Sequence, residues 1–189
     1  MIKMNLPTVY PITLNTKKII EPEFYLDKLT NKNLNFFQYR RKEISHFQVL
    51  KELDILKNIC RNNGISLIIN SYHGKELANN FRGLHLTSED SKQFTSRPIS
   101  KHKLLGISCH SKDEIVKAKR LEADYLFLSP VRKPQDKEMK SLGWTEFSKL
   151  AKETNIPSYA LGGMNISDLH EAQENGAYGI AGISKFWSY

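Results

Sequence analysis

Apolar positions along this chain come in short runs separated by amphipathic or polar stretches, and the runs return at intervals of roughly 20 to 25 residues. Residues 156–183 show the pattern most fully. One apolar run there closes on the pair Gly162-Gly163, Asn165 stands as an N-cap before an amphipathic segment, and a second apolar run closes on Gly182. That order predicts strand, turn, helix, strand and turn, a βαβ unit. Further strands are predicted over residues 8–13, 34–40, 65–70, 83–86, 104–108 and 124–128. Pro11 then has to sit where no ladder N–H is needed. The run over 65–70 is dense enough in Ile and Leu to be buried on both faces, as in a parallel sheet.

Between the strands, residues 46–62 carry Phe47, Leu50, Leu53, Ile55, Leu56 and Ile59 at mainly helical spacing, and Gly64 ends the segment. Pro22 predicts a helix starting just after it. Residues 111–121 read as a helix opened by a capping box of Ser111 and Glu114. A short helix is expected over 75–80 and a helix over 144–154, with a polar loop or single helical turn over 87–101 and a long mobile loop over 130–143. Eight strands alternating with helices predict an α/β fold, a small (β/α)8 TIM barrel with some abbreviated helices, in one domain spanning 1–189. An open doubly wound sheet is the runner-up, but no GxGxxG follows the first strand.

Charge narrows the partner. A chain of 189 residues with formal net charge +8 and pI near 9.4 suits an anion: nucleic acid, a membrane surface or a phosphorylated small molecule. Lysine and arginine are scattered, with no nucleic-acid-binding signature, so no nucleic-acid partner is expected. No apolar run approaches the roughly 18 to 20 residues of a membrane span, and the N-terminus lacks a signal peptide's apolar core. No membrane partner and a cytoplasmic location are expected. Cys60 and Cys109 lie in no metal-ligand spacing and read as buried thiols.

In such a barrel, polar residues at the C-terminal ends of strands converge on one site. This chain offers Gln38, Arg40 and Lys42 after the second strand, Asn70 after the third, His85 on the fourth, and Ser108 and His110 after the fifth. Lys137 in the loop after the sixth follows, then the turns at Gly162, Gly163 and Gly182. Arg40 and Lys42 read as phosphate contacts. The glycine turns let backbone N–H groups approach a phosphate. Inside Leu-His-Leu, His85 reads as a satisfied core histidine. His110 precedes a helix N-terminus, which favours a neutral imidazole able to exchange a proton near pH 7.

At these residues the sequence resembles the thiamine phosphate synthase and TenI (thiazole tautomerase) superfamily of small (β/α)8 barrels. The matching pieces are Gln38-Tyr39-Arg40-Arg41-Lys42, Asn70, the segment from Gly83 to Asp90, the segment from Gly106 to Ser111, Ala123-Asp124-Tyr125 with Ser129-Pro130-Val131, Gly162-Gly163, and Gly176 through Ser184. The stretch from His85 to Trp187 is most similar to the C-terminal domain of some Nudix fusion proteins, which suggests a functional link to a Nudix hydrolase. The resemblance leaves a homo-oligomer open.

For the synthase branch, the resemblance implies joining hydroxymethylpyrimidine diphosphate to a thiazole phosphate with loss of pyrophosphate, assisted by Mg²⁺. Gln38, Arg40, Lys42, Asn70, Ser108 and Lys137 would then surround the pyrophosphate; Gly163, Ile183 and Ser184 would hold the thiazole phosphate. Two departures stand out. Ser71 occupies the place of a usual Mg²⁺-binding Asp, leaving Asp90 as the one remaining carboxylate, and the loop reads Pro134-Gln135-Asp136-Lys137 where the synthases have Thr-Pro-Thr-Lys. TenI-like members need no metal and use the His of G-x-S-x-H, here His110, as a proton shuttle. The expectation from sequence is therefore a TenI-like enzyme binding a thiazole phosphate, with a synthase as the alternative and a non-catalytic binder of thiamine-related phosphates as the other.

Overall fold

The structure, a computed structural model, describes residues 6–132 and 140–188. All eight strands lie parallel in one sheet, ordered β1-β8-β7-β6-β5-β4-β3-β2. They are β1 (Val9–Pro11), β2 (Phe36–Tyr39), β3 (Ser66–Asn70), β4 (Gly83–Leu86), β5 (Leu104–Cys109), β6 (Tyr125–Leu128), β7 (Ser158–Leu161) and β8 (Gly179–Gly182). A single bridge between Ile12 and Gln38 joins the two ends, so the sheet is a nearly closed barrel. Pro11 explains why the seam falls there. Ile12 N–H points to Gly182 O on β8 and Thr13 N–H to Gln38 O on β2, so by alternation the N–H that Pro11 lacks would have faced β2.

Helices cover the outside: α1 (Pro22–Asn31), α2 (His46–Asn63), α3 (Ser88–Ser91), α4 (Lys112–Arg120), α5 (Gly143–Lys152), α6 (Leu169–Glu174) and α7 (Ser184–Trp187). Several are as short as expected, and others differ from the sequence reading in detail. Pro22 is itself the first residue of α1, where its fixed φ suits the first turn. Residues 75–80 form a 3-10 turn instead of an α-helix. The capping box expected at α4 is half made: Ser111 accepts from Glu114 N–H, but the Glu114 carboxylate accepts from His110 N–H instead of from Ser111. Gly64 ends α2 in the left-handed conformation at φ 65°, and Asn165 caps a 3-10 turn over Ile166–Asp168 that leads into α6.

Successive strand residues face opposite sides, which splits the core in two. Tyr10, Phe36, Ile68, Leu104, Tyr125, Phe127 and Tyr159 fill the barrel interior. Phe37, Tyr39, Ile69, Leu84, Ile107 and Leu128 pack beneath the helices. The interior is aromatic: the Tyr10 ring meets Phe36 edge-on at 4.8 Å and Tyr159 at 5.4 Å, contacts that contribute about 0.5–1.5 kcal/mol each beyond area burial. Both cysteines are buried, and burial pushes each thiol up to about 12. Among the described residues no helix is long and apolar enough to cross a membrane.

Candidate active site

Parallel register carries every strand's C-terminal end to one rim. Tyr39 pairs with Ile69, Asn70 with His85, Cys109 with Leu128 and Leu161 with Ala181, so the polar residues picked from sequence leave the barrel together. Within each strand, parity decides which of them face the interior. On β2 and just beyond it, Gln38 and Arg40 share the inward parity of Phe36, while Tyr39 and Arg41 face out.

Gln38 and Asn70 meet inside the barrel, Asn70 Nδ2 donating to Gln38 Oε1 at 2.8 Å. Asn70 Oδ1 in turn accepts from Tyr72 N–H at 3.1 Å, which opens the 3-10 turn after β3 and fixes which way the amide points. Arg40, two residues beyond Gln38, is half-buried, its N–H donating to Thr13 Oγ1 at 2.7 Å. Burial lowers its guanidinium's pKa from the ordinary value, and its charge reaches both His85 and His73. Lys42 N–H donates to Asn15 Oδ1, and its ammonium lies 4.5 Å from the centre of the exposed Tyr72 ring.

His85 is fully buried between Tyr125 and Ser108, with Nδ1 3.3 Å from Tyr125 Oη and Nε2 2.9 Å from Ser108 Oγ. Desolvation, reinforced by the Arg40 charge, lowers its pKa to about 3, so the imidazole is neutral. It is the satisfied core histidine expected, yet it touches a candidate site residue directly. His110 is exposed on the same rim, Nδ1 2.6 Å from Ser129 O. A carbonyl oxygen only accepts, so Nδ1 carries the proton in this arrangement.

The glycine turns pack closely against neighbouring parts of the chain. A Cβ on Gly162 would lie 2.7 Å from Pro130 Cβ, and one on Gly163 would lie 2.9 Å from Arg132 Cβ. Both glycines have positive φ, and the segment after β6 runs beside them, Val131 N–H on Leu161 O and Arg132 N–H on Gly162 O. At Gly182 the missing side chain leaves room for the Phe186 ring, 2.1 Å from where a Cβ would stand. The space these glycines leave is filled by the protein's own packing. Half-buried Ile183 and exposed Ser184 remain at the rim where α7 begins. Lys137 lies outside the described residues.

Asp90 accepts two hydroxyls on one oxygen: Ser71 Oγ at 2.5 Å and Thr87 Oγ1 at 2.8 Å, both on Oδ2. Among the described residues no group of three or more His, Cys, Asp or Glu comes together to hold a metal ion. A single carboxylate already committed to two hydroxyls does not fit a protein-held Mg²⁺. Tyr10, Tyr72 and Tyr125 are not among the site residues expected from sequence. Strand parity signals the first and last, since each shares its strand's inward face; Tyr72 lies beyond β3 in a turn, where no periodicity applies.

The fold and the rim define a (β/α)8 barrel with arginine, lysine, amide, hydroxyl and imidazole groups at its C-terminal mouth. The family model described as thiamine monophosphate synthase matches residues 9–186. The chain belongs to this family of thiamine biosynthesis. It is 30% identical over 97% of its length to a putative thiamine-phosphate synthase 2 of Aquifex aeolicus, covering 99% of that relative. It is 33% identical over 80% of its length to a thiamine-phosphate synthase of Prochlorococcus marinus, of which it spans only 44%. Thiamine phosphate pyrophosphorylase of Pyrococcus furiosus shares the fold at a TM-score of 0.73 and 22% identity, over 94% of this chain and 85% of that one. These relatives bear synthase names, which favours the synthase alternative over the TenI-like reading preferred from sequence.

Proposed function

We propose that the chain is a thiamine-phosphate synthase that takes a pyrimidine diphosphate and a thiazole phosphate at the C-terminal mouth of its barrel. The observation that carries this reading is the convergence of Arg40 with the Gln38–Asn70 pair and Ser108 on one inward-facing rim. In the reaction the thiazole ring nitrogen forms a bond to the pyrimidine's methylene carbon. The bond from that carbon to the diphosphate oxygen breaks, and its electron pair leaves with the diphosphate. Arg40 and Lys42 stabilise that growing negative charge, Gln38, Asn70 and Ser108 orient its oxygens, and Lys137 is assigned to the same group from the sequence match. Gly163, Ile183 and Ser184 take the thiazole phosphate through backbone and hydroxyl donors.

Family synthases use Mg²⁺, but the Ser71–Asp90 arrangement does not offer the paired carboxylates for it. In this reading the cationic side chains carry the diphosphate charge. Incubating the protein with both substrates and following thiamine phosphate and released pyrophosphate tests the proposal. Product formation that falls at least about a hundredfold in Arg40→Ala is expected; no product at any substrate concentration overturns it. A second reading is favoured by His110, whose exposed ring is pinned through Nδ1 to Ser129 O at the rim. Proton transfer within a thiazole carboxylate phosphate, lost in His110→Ala while thiamine phosphate formation is never detected, would establish that reading instead.

A further inference from the structure

A chain of hydrogen bonds crosses the barrel interior and ends at the mouth. Tyr10 Oη lies 2.7 Å from Tyr125 Oη, Tyr125 Oη 3.3 Å from His85 Nδ1, and His85 Nε2 2.9 Å from Ser108 Oγ. Each link can run in two senses, because hydroxyls donate or accept and a neutral imidazole has two tautomers.

The far end of the chain chooses between them. Tyr72 N–H holds Asn70 Oδ1, so Asn70 presents its Nδ2 to Gln38 Oε1. That leaves Gln38 with its donor end, Nε2, buried and without a hydrogen bond. Gln38 is the other polar side chain beside the Tyr10 hydroxyl. The surroundings of Tyr10 are otherwise aromatic rings: Phe36, Phe127 and Tyr159. If the chain ran from Ser108 toward Tyr10, the Tyr10 hydrogen would meet a donor and three rings, with no acceptor. Run the other way, every group is matched: Tyr10 donates to Tyr125, Tyr125 to Nδ1, Nε2–H to Ser108 Oγ, and Ser108 keeps its own hydrogen for the mouth.

We infer that His85 is a positioning residue that, as its Nε2–H tautomer, presets Ser108 to donate its hydroxyl hydrogen to an anion at the barrel mouth. The inference rests on the proposed reading of that mouth as a diphosphate site. The chemistry it recognises is a phosphate oxygen, which accepts a hydrogen bond and cannot return one once ionised. Burial keeps His85 neutral through the working pH range, so the sense of the chain does not reverse when solution pH changes. Tyr125 and Tyr10 then serve the mouth without touching it.

Two measurements on the folded chain test this. Long-range ¹H–¹⁵N NMR of the unliganded protein reads the tautomer directly: His85 is expected protonated on Nε2, and an Nδ1-protonated ring overturns the inference whatever the protein binds. Calorimetry with inorganic pyrophosphate reads the consequence. Ser108→Ala and His85→Leu are each expected to weaken binding roughly tenfold, with little further loss when combined, while His85→Gln, which keeps a donor at the Nε2 position, stays within about threefold of wild type. Wild-type binding that His85→Leu leaves unchanged overturns the inference alone. Absence of pyrophosphate binding by the wild-type chain overturns the reading of the mouth and the inference with it.

Discussion

Ser71 donates its hydroxyl to Asp90 Oδ2 at 2.5 Å, at the rim position where a paired carboxylate would hold a hard cation. Thr87 shares the same oxygen at 2.8 Å. Replacing Ser71 by Asp removes one donor and sets a second negative charge beside the first. Ser71→Asp is expected to bind Mn²⁺ at least about tenfold more tightly than wild type, and to unfold more easily without metal because the two carboxylates repel. Mn²⁺ titration followed by electron paramagnetic resonance, without diphosphate, checks this. Equal affinity in the two proteins would show that Asp90 holds the ion unaided.

Arg40 and Arg41 are neighbours with opposite duties, because alternate residues of β2 and the two that follow it face opposite sides. Arg41 is fully buried outside the barrel, paired with Glu52 at 3.3 Å and donating to the backbone carbonyls of Thr16 and Lys18. It anchors the segment between β1 and α1. Arg41→Ala leaves Glu52 without its buried partner and is expected to cost about 3 kcal/mol of stability. Arg40→Ala, on the site side, is expected to cost less than about 1 kcal/mol in stability while weakening pyrophosphate binding by roughly tenfold or more. Urea denaturation and calorimetry on both variants separate the two roles; a reversed pattern would invert the assignment of β2's faces.

The barrel was legible because its parallel strands are short apolar runs with turn residues at both ends, as in residues 65–70 and 104–108. So was the rim, since strand ends in a parallel barrel share one side. What sequence concealed follows from how side chains pack in three dimensions. Glu114 caps one residue earlier than its spacing implies because His110 N–H lies within its reach. Gly162 and Gly182 are also required by packing, since a Cβ at either would run into Pro130 or Phe186, a need that spacing alone does not show. Tyr10 and Tyr125 are separated by 115 positions and meet only when β1 and β6 face each other across the barrel.

His85 also makes stability depend on pH. Its folded pKa is lowered to about 3 by desolvation first and by the Arg40 charge second, whereas in the unfolded chain it titrates near 6.5. Below about pH 6.5 the unfolded state binds a proton that the folded state refuses. The stabilisation is therefore complete above about pH 6.5 and is lost progressively as pH falls toward 3. The contribution is about 1.4 kcal/mol per pH unit within that window. Denaturation midpoints of wild type and His85→Gln, compared from pH 7 to pH 4, check it: the wild-type curve should fall more steeply. Parallel curves would mean that His85 is protonated in the folded protein.

Gly106 sits on β5 directly beneath the Tyr125 ring, and a Cβ there would lie 2.1 Å from Tyr125 Cζ and 2.4 Å from its Oη. Gly106→Ala must push the ring aside, an overpacking that costs about 1–3 kcal/mol, and the shift carries the Tyr125 hydroxyl away from Tyr10 and His85. Gly64 provides the contrast. It has φ 65° but nothing within 4 Å of a Cβ, so Gly64→Ala costs only about 1 kcal/mol for the left-handed backbone. Both variants should unfold earlier in urea, but only Gly106→Ala should also weaken pyrophosphate binding, since only there does the strain enter the interior chain that ends at Ser108. Equal binding by the two variants would separate Tyr125 from the mouth of the barrel.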